Sequence, residues 1–165
     1  MENFMHILSL LLVAVAMGLS LAHALEFPGK KRLDKDKYTI VQPIYYPGFT
    51  FGGSVGEFGG ILALAILLSI LPYGSTRFWW SAAALLCLVI VNIIYWAFTH
   101  KVNNFWLRDT KLSGAGNVFF SSFAGKAGKQ DWTQFRDIWE YSHVARAVFA
   151  MLSLISIAIA LAVEQ

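Results

Sequence analysis

Four apolar stretches, residues 7–25, 55–71, 78–99 and 144–163, dominate this chain. Each approaches the length of about 20 residues that a helix needs to cross a bilayer core. The 165 residues are 57% apolar with a mean hydropathy of +0.57, well above soluble averages. The expected fold is therefore all-α: one integral membrane four-helix bundle over residues 1–165, with long loops at 26–54 and 100–143. Pro72-Tyr73-Gly74-Ser75 is a tight turn that makes the second and third spans an antiparallel hairpin. Gly56, Gly59 and Gly60 open the second span and would let another helix approach closely. Ala22-His23-Ala24 has the small-x-small form of a leader cleavage site, but Met1-Glu2-Asn3 lacks a positive n-region, so the first span is expected to be retained.

Charge orients these spans. Of 13 Lys and Arg residues only Arg77 falls on the side of the termini. Lys30, Lys31, Arg32, Lys35, Lys37, Lys101, Arg108, Lys111, Lys126, Lys129, Arg136 and Arg146 fall opposite. The positive-inside rule then predicts cytoplasmic long loops and both termini on the non-cytoplasmic side, and the expected location is the bacterial inner (cytoplasmic) membrane. Topology accounts for the net charge of +3, so no nucleic acid partner is inferred. Cys87 is the one cysteine, which excludes a disulfide framework or paired-thiol redox motif. The glycines at 114, 116, 125 and 128 lack phosphate-loop spacing, so nucleotide binding is not expected.

The polar residues bordering the spans gather at the loop end. His23 and Glu26 close the first span, Glu57 opens the second, His100 and Asn103 close the third, and Glu140, His143 and Arg146 open the fourth. At about 100° per residue, with Trp132 at zero, Arg136 falls near +40°, Trp139 near −20°, His143 near +20° and Arg146 near −40°. One narrow face carries all five. Glu140 lies at its edge, four residues from Arg136, where an ion pair is natural. In the third span Asn92, Trp96, Thr99 and Asn103 share a face with Tyr95 beside it, and Asn92 is deep enough to require a partner helix or cavity.

Three readings follow. Polar pairs can lock the bundle where its helices leave the bilayer, with Trp and Tyr as an interfacial belt. A metal ion is the second, with His23, Glu26, Glu57, Glu140 and His143 as ligands. Glu140-x-x-His143 has the spacing of carboxylate-bridged di-iron bundles, which His23-x-x-Glu26 reverses, yet the third span offers no second Glu. The third is a cofactor-free acid/base pocket in which a His or Glu takes a proton, an Arg holds an anion and Trp and Tyr faces receive a flat apolar molecule. Tyr45-Tyr46-Pro47-Gly48-Phe49 could form a lid, but a loop anchored along the interface is the simpler expectation.

The run Gly18–Lys30, the segment Val41-Gln42-Pro43-Ile44-Tyr45-Tyr46 and the pattern Asp131-Trp132, Arg136, Trp139-Glu140, His143, Arg146 together resemble a family of small four-helix membrane proteins related to anthrone oxygenases. The resemblance implies a four-helix bundle and, as in a few characterised relatives, oxygenation of polyketide anthrones to anthraquinones without an evident cofactor. The positions that match are His23, Glu26, Arg136, Trp139, Glu140, His143 and Arg146.

The expectation is thus a membrane oxidoreductase or oxygenase acting on an apolar aromatic or quinonoid molecule at a cytoplasm-facing pocket. In it His143 or His23 is the base, Glu26 or Glu140 orients it, Arg136 or Arg146 holds the anion, and Trp139 and Trp132 form a stacking wall. Its surroundings would be membrane lipid and an apolar small molecule. The alternative is a non-catalytic accessory subunit of a larger membrane complex, or a homo-oligomer, docked through Gly59-Gly60 and Ala82-Ala83-Ala84. A transporter is disfavoured, because the terminal half reads as almost wholly apolar and no repeat is present.

Overall fold

The structure, a computed structural model, describes residues 1–106 and 132–163. The stretch 113–128 with its glycines, and Arg108, Lys111, Lys126, Lys129 and Asp131, lie outside the described residues. Those described residues are helical: α1 (Glu2–Lys30), α2 (Lys35–Val41), a 3-10 turn (Gln42–Tyr45), α3 (Gly48–Ile70), α4 (Thr76–Ile94), a π turn (Tyr95–Thr99), α5 (His100–Trp106) and α6 (Trp132–Ala162). Four helices, α1, α3, α4 continued through the π turn, and α6, are long and apolar enough to cross a membrane, the architecture of an integral membrane protein. Each extends at its loop end past the apolar stretch that marks it in sequence. The interval 26–54, expected as a loop, is largely helical: Asp34 caps α2 by accepting from the Lys37 amide at 3.0 Å, and α3 begins seven residues before the apolar run at 55.

α1 and α4 each pack against both α3 and α6, so the four helices form a square with α1 opposite α4. The buried residues of α1 include His6, Ser9, Val13, Ala16, Ser20 and His23, and those of α6 include Trp139, His143, Arg146, Ala150, Ser153, Ile157 and Ala160. Both series alternate steps of three and four, the 3.5-residue seam of helices packed knobs into holes. Val13, Leu64, Leu67, Leu88 and Ile157 fill the middle of the bundle with no exposed surface. Leu11, Leu62, Leu86 and Leu152 point outward, as a lipid-facing surface requires.

The α1–α3 seam is closed by glycine. A Cβ at Gly56 would lie 2.7 Å from the Ala16 backbone nitrogen and 3.1 Å from the Leu12 carbonyl oxygen, so only Gly permits this approach. At the hairpin, Ser75 caps α4 by accepting from the Phe78 amide at 3.1 Å, and Gly74 takes φ 82°, a left-handed conformation natural to Gly. Arg77 donates to Glu2 Oε1 at 2.8 Å and to the Val163 carbonyl at 3.0 Å, which brings both ends of the described chain and the hairpin to one end of the bundle.

The terminal half is less apolar than its sequence suggests. His6, Ser9, Ser81 and Ser153 are fully buried there, and Ser153 donates to the Ala84 carbonyl at 2.8 Å. Serine is small enough to sit on a tight helix seam and can return its hydroxyl to a backbone carbonyl, which hydropathy does not register.

Candidate functional site

At the opposite end the helices part around a cleft. Its floor is polar: Ser20 and His23 from α1, Glu57 from α3, Asn92 and Tyr95 from the α4 side, Thr99 and Asn103 beyond them, and Trp139, His143 and Arg146 from α6. Its roof is Tyr45, Tyr46 and Phe49. The enclosed space is about 60 Å³, room for a few water molecules.

The π turn brings α4 into this site. The inward series Ser81, Ala84, Leu88, Val91 would continue to 95, 98 and 102 in a regular helix. One extra residue in the turn rotates the chain, so Phe98 is 53% exposed while Thr99 is 1% exposed and Asn103 is buried. Asn103 Oδ1 then accepts from Trp139 Nε1 and from the Tyr46 hydroxyl, both at 2.7 Å. Thr99 Oγ1 and Ser142 Oγ pair at 2.9 Å. The roof, α5 and α6 are thereby fixed to one another.

A buried ion pair crosses the cleft floor. Arg146 donates through one terminal nitrogen to Glu57 Oε1 and through the other to His143 Nδ1 at 3.1 Å, while Asn92 donates to Glu57 Oε2 at 3.3 Å. Because an arginine can only donate, His143 Nδ1 is an acceptor and the proton of the neutral ring sits on Nε2. That Nε2 is buried without a partner. His23 lies against it with ring centroids 4.2 Å apart, and the Trp139 ring is 4.1 Å from His143 and 4.9 Å from His23. Tyr45 and Phe49 cover His23 at 4.7 and 4.6 Å.

A second network forms the rim. His23 Nδ1 is 3.8 Å from Glu26 Oε2, which accepts from the Tyr45 hydroxyl at 2.7 Å and pairs with Lys30 Nζ at 2.8 Å. Lys30 Nζ also stands 4.3 Å from the Tyr45 ring centre, 4.8 Å from that of Trp139 and 3.9 Å from Glu140 Oε1. Glu140 is fully buried and accepts from the Tyr38 hydroxyl at 2.8 Å. Both rim phenols titrate above their ordinary range. Burial is the larger cause, followed by the Glu140 charge for Tyr38 and the Glu26 hydrogen bond for Tyr45.

Five of the eight residues singled out in sequence, His23, Glu57, Trp139, His143 and Arg146, thus line one cleft. Glu26 lies at its rim and Glu140 behind Trp139 in the Tyr38–Lys30 network. Arg136 is not part of it: its Nε donates to Asp137 at 3.0 Å and its guanidinium lies 5.2 Å from the Trp132 ring centre. The pair expected between Arg136 and Glu140 does not form, because adjacent Asp137 takes the arginine while Glu140 turns inward. Nor do His23, Glu26, Glu57, Glu140 and His143 make a ligand set. Among the described residues no three His, Cys, Asp or Glu side chains are grouped to hold a metal ion, and Glu57 and Glu140 already serve other partners. The segment 45–49 roofs the cleft, with Tyr45 only 7% exposed, rather than lying along the interface as expected.

Sequence reasoning gave Lys30 and Tyr38 no part in the site. Lys30 had one available signal, its place seven residues after His23 on the α1 seam; Tyr38 had none. No known family model, curated protein or solved structure matches the chain.

Proposed function

We propose that this protein is a membrane oxidoreductase of the oxygenase type, acting through acid/base chemistry on an apolar aromatic or quinonoid molecule bound in the cleft. The observation that carries this reading is the His23–His143 pair. Two imidazoles 4.2 Å apart, one with its free Nε2 fixed as a donor by Arg146, face a cavity walled by aromatics. A substrate oxygen seated there would receive the His143 Nε2–H, and negative charge developing on it would lie near Arg146. His23, unpaired at Nδ1 and 3.8 Å from half-exposed Glu26, would take the substrate proton and pass it toward water.

The resemblance to anthrone oxygenase relatives supplies the reaction class. The activated methylene of the substrate loses a proton to His23, and the carbanion gives its electrons to dioxygen with formation of a C–O bond. Loss of water leaves the carbonyl, so one CH₂ group and one O₂ become one C=O group and one H₂O. In this reading the described chain ends face the non-cytoplasmic side of a bacterial inner membrane and the cleft faces the cytoplasm, as the loop-side excess of Lys and Arg favours.

The test is oxygen uptake by protein in nanodiscs given a tricyclic anthrone. Uptake above auto-oxidation that disappears in His143→Gln and His23→Gln is the expected result. Equal rates with wild type, both variants and empty nanodiscs would refute the reading.

A further inference from the structure

The α3 wall of the cleft is one helical face, Thr50, Gly53, Ser54, Glu57 and Phe58, spaced so that all five look the same way. Glu57 is buried at the back of that face, but Ser54 and Phe58 at its edge are exposed. They stand six and ten residues into α3, about 9 and 15 Å from its loop-side end at ~1.5 Å per residue. Both positions belong to the helix Gly48–Ile70, which is long and apolar enough to cross a membrane.

Two other sides of the cleft are closed. Toward α1, Gly52 and Gly56 draw the helices together until a Cβ at either would meet the Leu19 side chain at 2.9 Å or the Ala16 backbone at 2.7 Å. Toward the loop end, Tyr46 is tied to Asn103 and Tyr45 to Glu26. Toward α4 the two helices meet through one hydrogen bond at this level and, a turn deeper, at Gly60, where a Cβ would lie 2.7 Å from the Leu88 side chain. Asn92 reaches Glu57 at 3.3 Å, and both Asn92 and Tyr95 are only partly buried although each is polar and within a span. α3 and α4 are also the least closely packed pair of neighbours in the square.

We infer that the cleft opens laterally into the bilayer between α3 and α4, and that its ligand is an amphiphile whose polar aromatic head reaches His143 and Arg146 while its apolar tail stays among the lipid chains. This rests on the reading of the cleft as a substrate site and names the substrate's form. The enclosed volume of about 60 Å³ is smaller than an aromatic ring needs, so the head enters only as the α3–α4 wall parts. Phe58, half exposed beside the opening, supplies an apolar edge for the tail, and Ser54 leaves space beside it without a bulky side chain.

The experiment uses protein in nanodiscs and an alkyl hydroquinone carrying a diazirine partway along its tail, with unlabelled alkyl hydroquinone as competitor. Saturable photolabelling on α3 near Ser54 and Phe58 and on α4 near Asn92 and Tyr95 is expected. Ser54→Trp, a change on an exposed helix position, should abolish it. Gly18→Trp, at an exposed α1 position with open space around it, should keep it. Labelling confined to the roof segment 45–49, labelling spread unsaturably over all four helices, or indifference to Ser54→Trp would each overturn the inference. Saturable labelling at the α3–α4 opening without oxygen uptake would leave the lateral site standing and remove the oxygenase reading. Histidine-dependent uptake unaffected by Ser54→Trp would do the reverse.

Discussion

Replacing Arg146 by Met tests the cleft floor most directly. The Arg146 and Glu57 side chains are 8% and 6% exposed, so neither charge has recourse to water. In Arg146→Met, Glu57 keeps only the 3.3 Å contact from Asn92, and His143 Nδ1 loses its donor. Breaking a buried pair by removing one partner costs about 3–5 kcal/mol. Glu57→Leu should cost less, near the lower end of that range, because His143 Nδ1 remains as an acceptor for Arg146. Replacing both by apolar residues removes the orphaned charge, and the double variant should return to within about 1 kcal/mol of wild type or exceed it. The assay is reversible unfolding in mixed micelles followed by helical circular dichroism, applied to all four members of the cycle. Additivity of the two single changes to within about 0.5 kcal/mol would refute the reasoning, since it would mean that the charges do not depend on each other.

Three further outcomes follow from other parts of the molecule. Gly56→Ala should destabilise by about 1–3 kcal/mol in the same unfolding assay, since its Cβ meets the Ala16 and Leu12 backbone, which cannot rotate away. Gly18→Ala, with open space around it, should gain up to about 1 kcal/mol from helix propensity; reversed signs would overturn the seam. Asn103→Leu should cost about 1–3 kcal/mol by removing the acceptor of Trp139 Nε1 and the Tyr46 hydroxyl, and the Trp fluorescence should shift; an unchanged melt and spectrum would contradict the roof contacts. The phenols of Tyr38 and Tyr45 titrate higher in the folded protein than in the unfolded chain, so the folded state holds their protons more tightly. Their stability contribution is therefore complete below the unfolded value of about 10 and lost as pH rises above it. Melting temperature should fall above that pH, less steeply in Tyr38→Phe; an equal slope would count against it.

The residues that carry the site were unequally legible. The α6 face of Trp139, His143 and Arg146 follows from helical phase alone, because one rigid helix fixes their relative directions. Asn103 and Thr99 were on a shared face by phase too, although the π turn that lets both reach the core beyond Val91 has no sequence signature. Arg136 satisfied the same phase rule and left the site, since neighbouring Asp137 offered a nearer partner. Lys30 looked like one more topogenic charge, and only its burial against Tyr45 and Trp139 gives it another part.

Apolar length and the 3.5-residue seam are local properties of a chain. They determine four spanning helices, the hairpin at Pro72–Ser75 and the gathering of polar groups at one end, because the bilayer core enforces length and burial independently of any partner. Which polar groups meet depends on how α1, α3, α4 and α6 are arranged around one another, and that is decided by contacts far apart in sequence. The glycine-tight seam of α1 with α3, the looser one of α3 with α4 and the aromatic roof belong to that second class. So does the pairing of Arg146 with Glu57, which leaves His143 its free nitrogen facing the cleft.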